Sequence, residues 1–154
     1  MRKFFLFIFS LVLLISCSSS ENKANELIKE QLKLVVKDMD SYEVVETKLE
    51  TAYEPFDKPS CWKAILRIAA LEQQGKTAQV NKETDKLLSI IDNPTMEMGV
   101  KAIQTFKYKD ASEKEVENHV IAIMDKDLSI CYGYIIEETD EYKVVKQALD
   151  EIRQ

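Results

Sequence analysis

The chain has 154 residues, which is enough for one compact domain, and 45% of them are hydrophobic. Its 21 basic and 27 acidic side chains give a formal net charge of −6 at pH 7. An acidic surface repels phosphate, which argues against nucleic acid as a partner and against electrostatic adhesion to anionic lipid headgroups.

The first 17 residues have the pattern of a secretory signal that ends in a lipidation site. Arg2 and Lys3 form a short basic head, and residues 4–15 form an apolar run interrupted only by Ser10. This run of 12 residues is too short to span a bilayer core of about 30 Å, which needs about 20 residues. It closes with Leu14-Ile15-Ser16-Cys17, a sequence that resembles the lipobox of bacterial lipoprotein precursors.

The lipobox implies that residues 1–16 are removed and that Cys17 becomes the acylated first residue. Losing the two basic residues of the head leaves 19 basic against 27 acidic side chains, a net charge of −8. The acyl chains on Cys17, rather than charge, would therefore attach the protein to a membrane. Ser18 lacks the acidic side chain that retains lipoproteins at the inner membrane of some bacteria, which favours the outer membrane of a Gram-negative cell envelope. An ordinary secretory signal with a chance cysteine is the alternative.

The N-terminal part of the mature chain predicts a tether, a helix and a strand. Residues 17–25 comprise the lipidated cysteine and a polar stretch typical of a flexible tether, so a single domain is expected over residues 26–154. Apolar residues recur at helical spacing from Ala24 to Val36. From Val45 to Tyr53, apolar and Thr side chains alternate with Glu and Lys, which predicts a strand with one wet face.

A helical pair is expected next. The loop at residues 54–60 contains two prolines, and Ser60 is a candidate N-cap for the helix that follows. Apolar stripes at helical spacing run from Trp62 to Ala69 and from Val80 to Ile91. Gly75 lies between them and favours a helical hairpin, with one helix bent at Gly75 as the alternative.

The C-terminal part predicts three strands and a helix. The strands are expected at residues 100–109, 116–124 and 128–136, joined by short polar turns, and an amphipathic helix follows from Tyr142 to Ile152. Short connections imply antiparallel pairing. The predicted fold is α+β, with a small four-stranded antiparallel sheet, helices packed on one face, and the order α-β-α-α-β-β-β-α.

Three segments resemble a group of small bacterial lipoproteins to which no activity is assigned: Asp38–Tyr42, Gly99–Asp110 and Val120–Ile130. Met39 stands where the group often has Pro, and Gln104 where it often has His. Any role of that imidazole is therefore absent here. The resemblance implies the architecture and indicates no chemistry.

Two cysteines and one histidine could carry chemistry. Cys61 and Cys131 remain after Cys17 is acylated, and an exported compartment permits a disulfide between them. The alternative is two buried free thiols. His119 is the single histidine, and a hydrolase would need it beside a nucleophile and an acid. No nucleophile-elbow motif occurs, so a surface or edge-strand histidine is expected.

Acidic residues gather near the last strand. Asp125, Asp127 and Ser129 mimic the opening of a calcium loop, but Ile130 and Ile136 occupy positions that need Gly and Glu. A hairpin turn without a metal is therefore expected. A second acidic run is typical of a helix N-terminus, where negative charge offsets the helix dipole. This run comprises Glu137, Glu138, Asp140 and Glu141.

Aromatic residues near the proline loop are the best candidates for partner contact. Tyr53, Phe56 and Trp62 lie around Pro55 and Pro59. Aromatic side chains on a stiffened loop can bind a protein or a polymer. The alternative is that they close the open end of a core.

The functional expectation is a non-enzymatic, lipid-anchored binding or accessory domain of the cell envelope. No catalytic constellation is evident, and three glycines cannot supply a phosphate-cradling loop, so no cofactor is expected. The partner would be an envelope protein or polymer. The alternatives are an envelope hydrolase built on His119 or paired acids, and an inhibitor that inserts the loop at residues 54–60 into a foreign enzyme.

Overall fold

The computed structural model describes residues 19–53, 57–92, 97–137 and 139–152. The predicted signal peptide, Cys17, Phe56 and Glu138 lie outside these residues. The elements within them are helix α1 (residues 19–32), strand β1 (Glu43–Tyr53), helix α2 (Pro59–Gln73), helix α3 (Thr77–Ile91), strand β2 (Glu97–Lys109), strand β3 (Glu115–Met124), strand β4 (Cys131–Ile136) and helix α4 (Asp140–Ile152). A 3-10 turn at Met39–Ser41 precedes β1.

The sheet confirms the predicted α+β class and element order. Its four strands lie in the order β1-β2-β3-β4, and each pairs antiparallel with the next. Strands that follow one another in the chain are therefore neighbours in the sheet. Short turns join β2 to β3 and β3 to β4, whereas α2 and α3 lie between β1 and β2. The first and last strands, β1 and β4, form its two edges.

Helices cover both faces of the sheet, which corrects the expectation that all of them pack on one. Side chains of α1 pack with Ala102, Phe106 and Val120, and this side is called the α1 face. Helices α2, α3 and α4 pack with Ile123 and Ile135 on the opposite, hairpin face. The reason lies in β3, where residues 120–124 are all apolar and so supply a buried side chain to each face in turn.

Helix α1 replaces the predicted tether. Residues 19–25 are helical, and Ala24 is fully buried against the core that contains Ile28 and Leu32. The prediction of a flexible segment is therefore wrong for these residues, because their polar side chains form the exposed face of an amphipathic helix. The helix ends earlier than predicted, at residue 32, so Leu34 is left 85% exposed.

The helical hairpin is confirmed, and Gly75 forms its turn. Gly75 has a φ of +66°, a conformation that favours glycine. Its N–H donates to the carbonyl of Glu72 at 2.9 Å, and the N–H of Lys76 donates to that of Leu71 at 3.0 Å, which closes α2 as a Schellman motif. Helix α2 begins at Pro59 rather than after Ser60, because proline at the first helical position needs no N–H partner.

The edge strands β1 and β4 each differ from the predictions. Strand β1 has a register shift between Val44 and Glu46, so Val45 is 52% exposed instead of facing the core. Strand β4 begins at Cys131, three residues later than expected, because residues 125–130 form the turn. Among the described residues, none of the helices has the length and apolar character that crossing a membrane requires.

A carboxylate joins the two helices of the hairpin. Glu83 Oε1 lies 2.9 Å from Lys86 Nζ and 3.8 Å from Arg67 Nε, with only 11% of its side chain exposed. The hydrogen bond from Lys86, more than the charge of Arg67, lowers the pKa of Glu83 below its usual 4.5. A lowered carboxyl pKa contributes stability above the unfolded-state pKa, and that stability is lost as the pH falls through the folded-state pKa.

We therefore expect Glu83→Gln to weaken the dependence of the free energy of unfolding on pH in the acidic range. The variant should be less stable than the wild type at neutral pH, and the difference should shrink below pH 4.5 as Glu83 becomes protonated. Urea unfolding at a series of pH values measures it. Glu72→Gln, at an exposed position on α2, is the control and should leave the profile unchanged. A constant difference between Glu83→Gln and wild type at all pH values would contradict the interpretation.

Candidate functional site

A groove runs along the outer side of β4, and it is called the edge groove. Its volume is about 370 Å³. One wall comes from Val35, just after α1, and the other from Pro59, Trp62 and Leu66 of α2. Its floor is residues 133–136 of β4. The groove therefore lies where the two layers of helices meet the free edge of the sheet.

The backbone of β4 offers hydrogen-bonding groups to this groove. The N–H of Glu137 donates to the carbonyl of His119 at 2.9 Å, so residues 119 and 137 form a hydrogen-bonded pair. Along antiparallel strands such pairs alternate with pairs that exchange no backbone hydrogen bonds. Tyr134, which is opposite Ala122, belongs to a pair of the second kind, so its N–H and C=O point away from β3. The carbonyl of Ile136 also points outward, but it accepts bonds from the N–H (3.2 Å) and the hydroxyl (2.6 Å) of Thr139.

Apolar side chains are exposed around the same edge. Val35, which lines the groove, and Leu34 before it are 52% and 85% exposed. Ile130 just before β4 is 55% exposed, and Tyr132 in β4, next to Gly133 of the groove floor, is 49% exposed. Grouped exposed apolar side chains mark interaction surfaces more often than isolated ones do. Lys63 and Glu141 add one charge of each sign to the lining.

Close packing fixes the α2 wall against β4. A Cβ at Gly133 would lie 2.8 Å from Cβ of Pro59, so the start of α2 rests directly on the strand. Only glycine allows this approach. The groove therefore has a rigid wall on the hairpin face.

A larger cavity of about 490 Å³ lies between α2, α3 and α4. Apolar side chains such as Ile68, Leu87 and Ala148 line it, with Glu72 and Glu151 as its charged lining residues. Its walls are helices, whose backbone groups are already bonded within each helix. The cavity therefore offers side-chain contacts alone, whereas the edge groove combines apolar walls with free strand backbone.

The predicted aromatic cluster is not an exposed patch. Trp62 is 6% exposed and packs in the core of the hairpin face, although it also lines the edge groove. Tyr53 is 51% exposed at the end of β1. Phe56 lies outside the described residues. Trp62 therefore lies in α2 as part of a groove wall rather than on an exposed loop, and its burial agrees with the alternative that these aromatic residues close a core.

The two predicted disulfide partners are both free thiols in the structure. Cys61 is fully buried in the core of the hairpin face, whereas Cys131 packs against the core of the α1 face. Burial is the main cause of the raised pKa of each thiol. The structure thus agrees with the alternative of two unbonded cysteines, each packed in a different layer.

His119 lies on β3 at the hairpin face and is partly exposed. Its Nδ1 is 2.9 Å from the hydroxyl of Thr105 on the neighbouring strand. This contact joins two adjacent strands and does not bring a carboxylate or a thiol to the imidazole. Within the described ranges, the structure also brings no three His, Cys, Asp or Glu side chains together in a metal-binding arrangement.

The acidic residues around β4 act within the chain itself. Asp125 Oδ1 accepts from the N–H groups of Ser129 and Ile130 at 2.7 and 2.8 Å, which closes the predicted hairpin turn. The hydrogen bond from the hydroxyl of Ser129, together with these two backbone bonds, lowers the pKa of Asp125. Thr139, which the sequence analysis missed, caps α4 by accepting from the N–H of Tyr142 at 3.2 Å.

A buried polar cluster on the α1 face was also missed. Gln104 is fully buried, and its Nε2 donates to Oδ1 of Asn25 at 2.8 Å. The hydroxyl of Tyr42 donates to Oε1 of Gln104, and that of Thr47 to Asn25 at 2.7 Å. Burial, with a smaller effect of the charge on Glu26, raises the pKa of Tyr42 to about 12. The cluster pins α1 to β1 and β2 and is fully partnered, so we assign it to stability.

Comparisons with protein families, with curated proteins and with solved structures found no match to this chain.

Proposed function

We propose that this protein is a lipid-anchored binding module of the bacterial cell envelope, and that it takes an extended segment of a partner protein along β4. The observation that carries the proposal is the edge groove, which places apolar walls on both sides of a strand whose outer edge is unpaired in the sheet. Strand addition uses both features: backbone hydrogen bonds supply affinity, and pockets for alternate side chains supply specificity.

Anchoring rests on the lipobox at Leu14–Cys17 and on the apolar run before it. We expect the mass of the membrane-extracted protein to equal that of a chain starting at Cys17 plus a diacylglyceryl group, with or without a third acyl chain. Intact-mass spectrometry measures it. A Cys17→Ala variant is the control and should keep an unmodified N-terminal segment. Wild-type protein that begins at Met1, or at any residue other than Cys17, would contradict the anchoring proposal.

Binding is favoured over hydrolysis because the candidate chemical groups have partners that serve the fold. The ring of His119 contacts a threonine, and the carboxylate of Asp125 closes a turn. A hydrolase would need a nucleophile or a paired acid beside His119. The inhibitor alternative depends on the loop predicted at residues 54–60. Pro59 and Ser60 belong to α2, and residues 54–56 lie outside the described residues, so no observation favours it.

Site-specific photo-cross-linking in the native envelope tests the binding site. A benzophenone amino acid at Tyr132 lies in β4, next to Gly133 of the groove floor. The same group at Leu88 on α3 is its control, because the two positions are similarly exposed at 49% and 47%. We expect a discrete adduct from Tyr132 and none at the same mass from Leu88. Equal adducts from both positions would indicate nonspecific contact and would contradict the site.

A pair of substitutions tests whether the partner adds a strand. Tyr134→Pro removes the outward N–H, whereas Tyr134→Ala removes the same side chain and keeps that donor. Tyr134 is opposite Ala122 in a pair without mutual backbone bonds, so the proline costs no bond to β3. We expect the adduct to persist in the alanine variant and to be lost in the proline variant, with both variants folded by circular dichroism. Equal adduct yields would contradict strand addition.

A further inference from the structure

We infer that the mature domain stands on the bilayer with the beginning of β1 beside the lipid headgroups and with the edge groove turned away from the membrane. This inference rests on the proposed acylation of Cys17. The orientation goes beyond acylation because it assigns which surface meets the lipid and which surface is left for a partner. Three features carry it: the short connection in the sequence before residue 19, the course of α1 and the charge of its exposed face.

The connection between anchor and domain is very short. Residue 19 is already helical, so Ser18 alone separates Cys17 from α1. Two extended residues span about 7 Å. Ala24 and Ile28 are buried in the core of the α1 face, so unwinding the first turns of α1 would expose apolar surface. The domain is therefore held close to the bilayer and lacks the freedom that a flexible tether would give it.

The N-terminal half of α1 lies beside the beginning of β1. Oδ1 of Asn25 accepts from the hydroxyl of Thr47, which is in β1, at 2.7 Å. One turn earlier, Asn22 shares a cavity of about 260 Å³ with Tyr42 and Val44. The surface nearest the anchor is therefore the first part of β1 and the turn before it.

The other end of α1 lies beside β4. Val35, just after α1, lines the edge groove together with Tyr134 and Ile136. Helix α1 thus crosses the sheet from one edge strand to the other. Its 14 described residues correspond to about 20 Å of helix. The edge groove is therefore separated from the anchored end by most of the width of the sheet.

The exposed face of α1 disfavours a domain that lies flat on the membrane. Lys23, Glu26 and Glu30 are exposed there, and Lys33, just past the end of the helix, is paired with Glu30. A helix that lies on an anionic bilayer needs an excess of basic residues on its polar face. The balanced face of α1 and the net charge of −8 expected for the mature chain supply no such attraction. We therefore expect the beginning of β1, rather than the exposed face of α1, to lie beside the headgroups, because the short connection holds that end of the domain near the bilayer.

Depth-dependent quenching tests this orientation. The acylated protein would be reconstituted in phosphatidylcholine and phosphatidylglycerol vesicles that contain a headgroup nitroxide lipid. A fluorescent amino acid at Val45 reports the beginning of β1, and one at Tyr132 reports the groove, with matched exposures of 52% and 49%. We expect quenching at Val45 to be several-fold stronger than at Tyr132. A third probe at Leu34 should resemble Tyr132.

A linker variant and a flotation assay separate the possible failures. Twelve added Gly and Ser residues between Ser18 and residue 19 should abolish the difference between Val45 and Tyr132. Equal quenching in the protein without the linker, or stronger quenching at Tyr132 or Leu34, would overturn the orientation while leaving acylation intact. A difference that survives the linker would overturn the short connection as its cause. Protein that does not float with the vesicles would overturn the anchoring proposal, and the orientation with it.

Discussion

Replacing Gly99 with alanine should destabilise the protein by about 3 kcal/mol. Gly99 is buried in β2, and a Cβ built there would lie 2.1 Å from the carbonyl oxygen of Met124 and 3.2 Å from its carbonyl carbon. The obstructing atoms belong to the backbone of β3, so no rotamer change can relieve the clash, and the strands must separate. Urea unfolding followed by circular dichroism measures the loss.

A second glycine provides the control for this prediction. Gly75 has no atom within 4 Å of a built Cβ, but its φ is +66°. Gly75→Ala therefore carries backbone strain without a clash and should cost about 1 kcal/mol. If Gly99→Ala proved no more destabilising than Gly75→Ala, the close contact between β2 and β3 at this position would be wrong.

Removing the buried amide of Gln104 is the other substitution with a large expected effect. Gln104→Ala leaves a cavity and removes one hydrogen bond each from Asn25 and Tyr42, so we expect a loss of about 3 kcal/mol. Gln104→Met fills the volume but makes no such hydrogen bonds, and it should cost about 2 kcal/mol. The difference between the two variants separates packing from polar pairing. Thermal or urea unfolding provides both values.

A double-mutant cycle tests whether the cluster acts as a unit. Asn25 accepts from Gln104 at 2.8 Å, so the losses from Asn25→Leu and Gln104→Met should not add. We expect the double variant to be more stable than the sum of the single losses predicts, because the bond between the two side chains is lost once in the double variant but counted twice in the sum. Additive losses would show that the two side chains do not interact and would contradict the buried network that pins α1.

Local patterns in the sequence predicted most of the elements, because each pattern is produced by a short stretch of chain. The alternation in β1 and the stripes on either side of Gly75 were sufficient for a strand and a helical hairpin. The sequence also indicates that both faces of the sheet are buried, since residues 120–124 of β3 are uniformly apolar instead of alternating. A uniformly apolar strand is typical of a sheet that is covered on both faces.

The errors came where a residue has two possible structural roles. The polar stretch at residues 18–25 suits either a tether or the exposed face of a helix, and the burial of Ala24 decides for the helix. Ser60 is a good N-cap, but Pro59 before it is a better first helical residue. In each case contacts with residues far along the chain decide which structure forms: Ala24 packs in the core of the α1 face, and Pro59 packs against Gly133.

The edge groove could not be predicted from the sequence alone. Its walls and floor come from Val35, from α2 and from residues 133–136, which are far apart in the chain and meet only through the fold. One signal was available: Leu34 and Val35 continue the apolar pattern beyond the point where α1 ends, and they are exposed. Trp62 was singled out correctly as a residue near the site, but for a surface role that its burial excludes.

Amide hydrogen exchange at Tyr134 tests the central claim most directly. The partner segment recovered from the Tyr132 adduct would be made as a peptide and added to the labelled protein. We predict that the amide of Tyr134, which is directed away from β3, becomes protected only when the peptide is bound, while Ile135, which pairs with Ile121, is protected throughout. An amide of Tyr134 that exchanges at the same rate with and without bound peptide would contradict strand addition at β4.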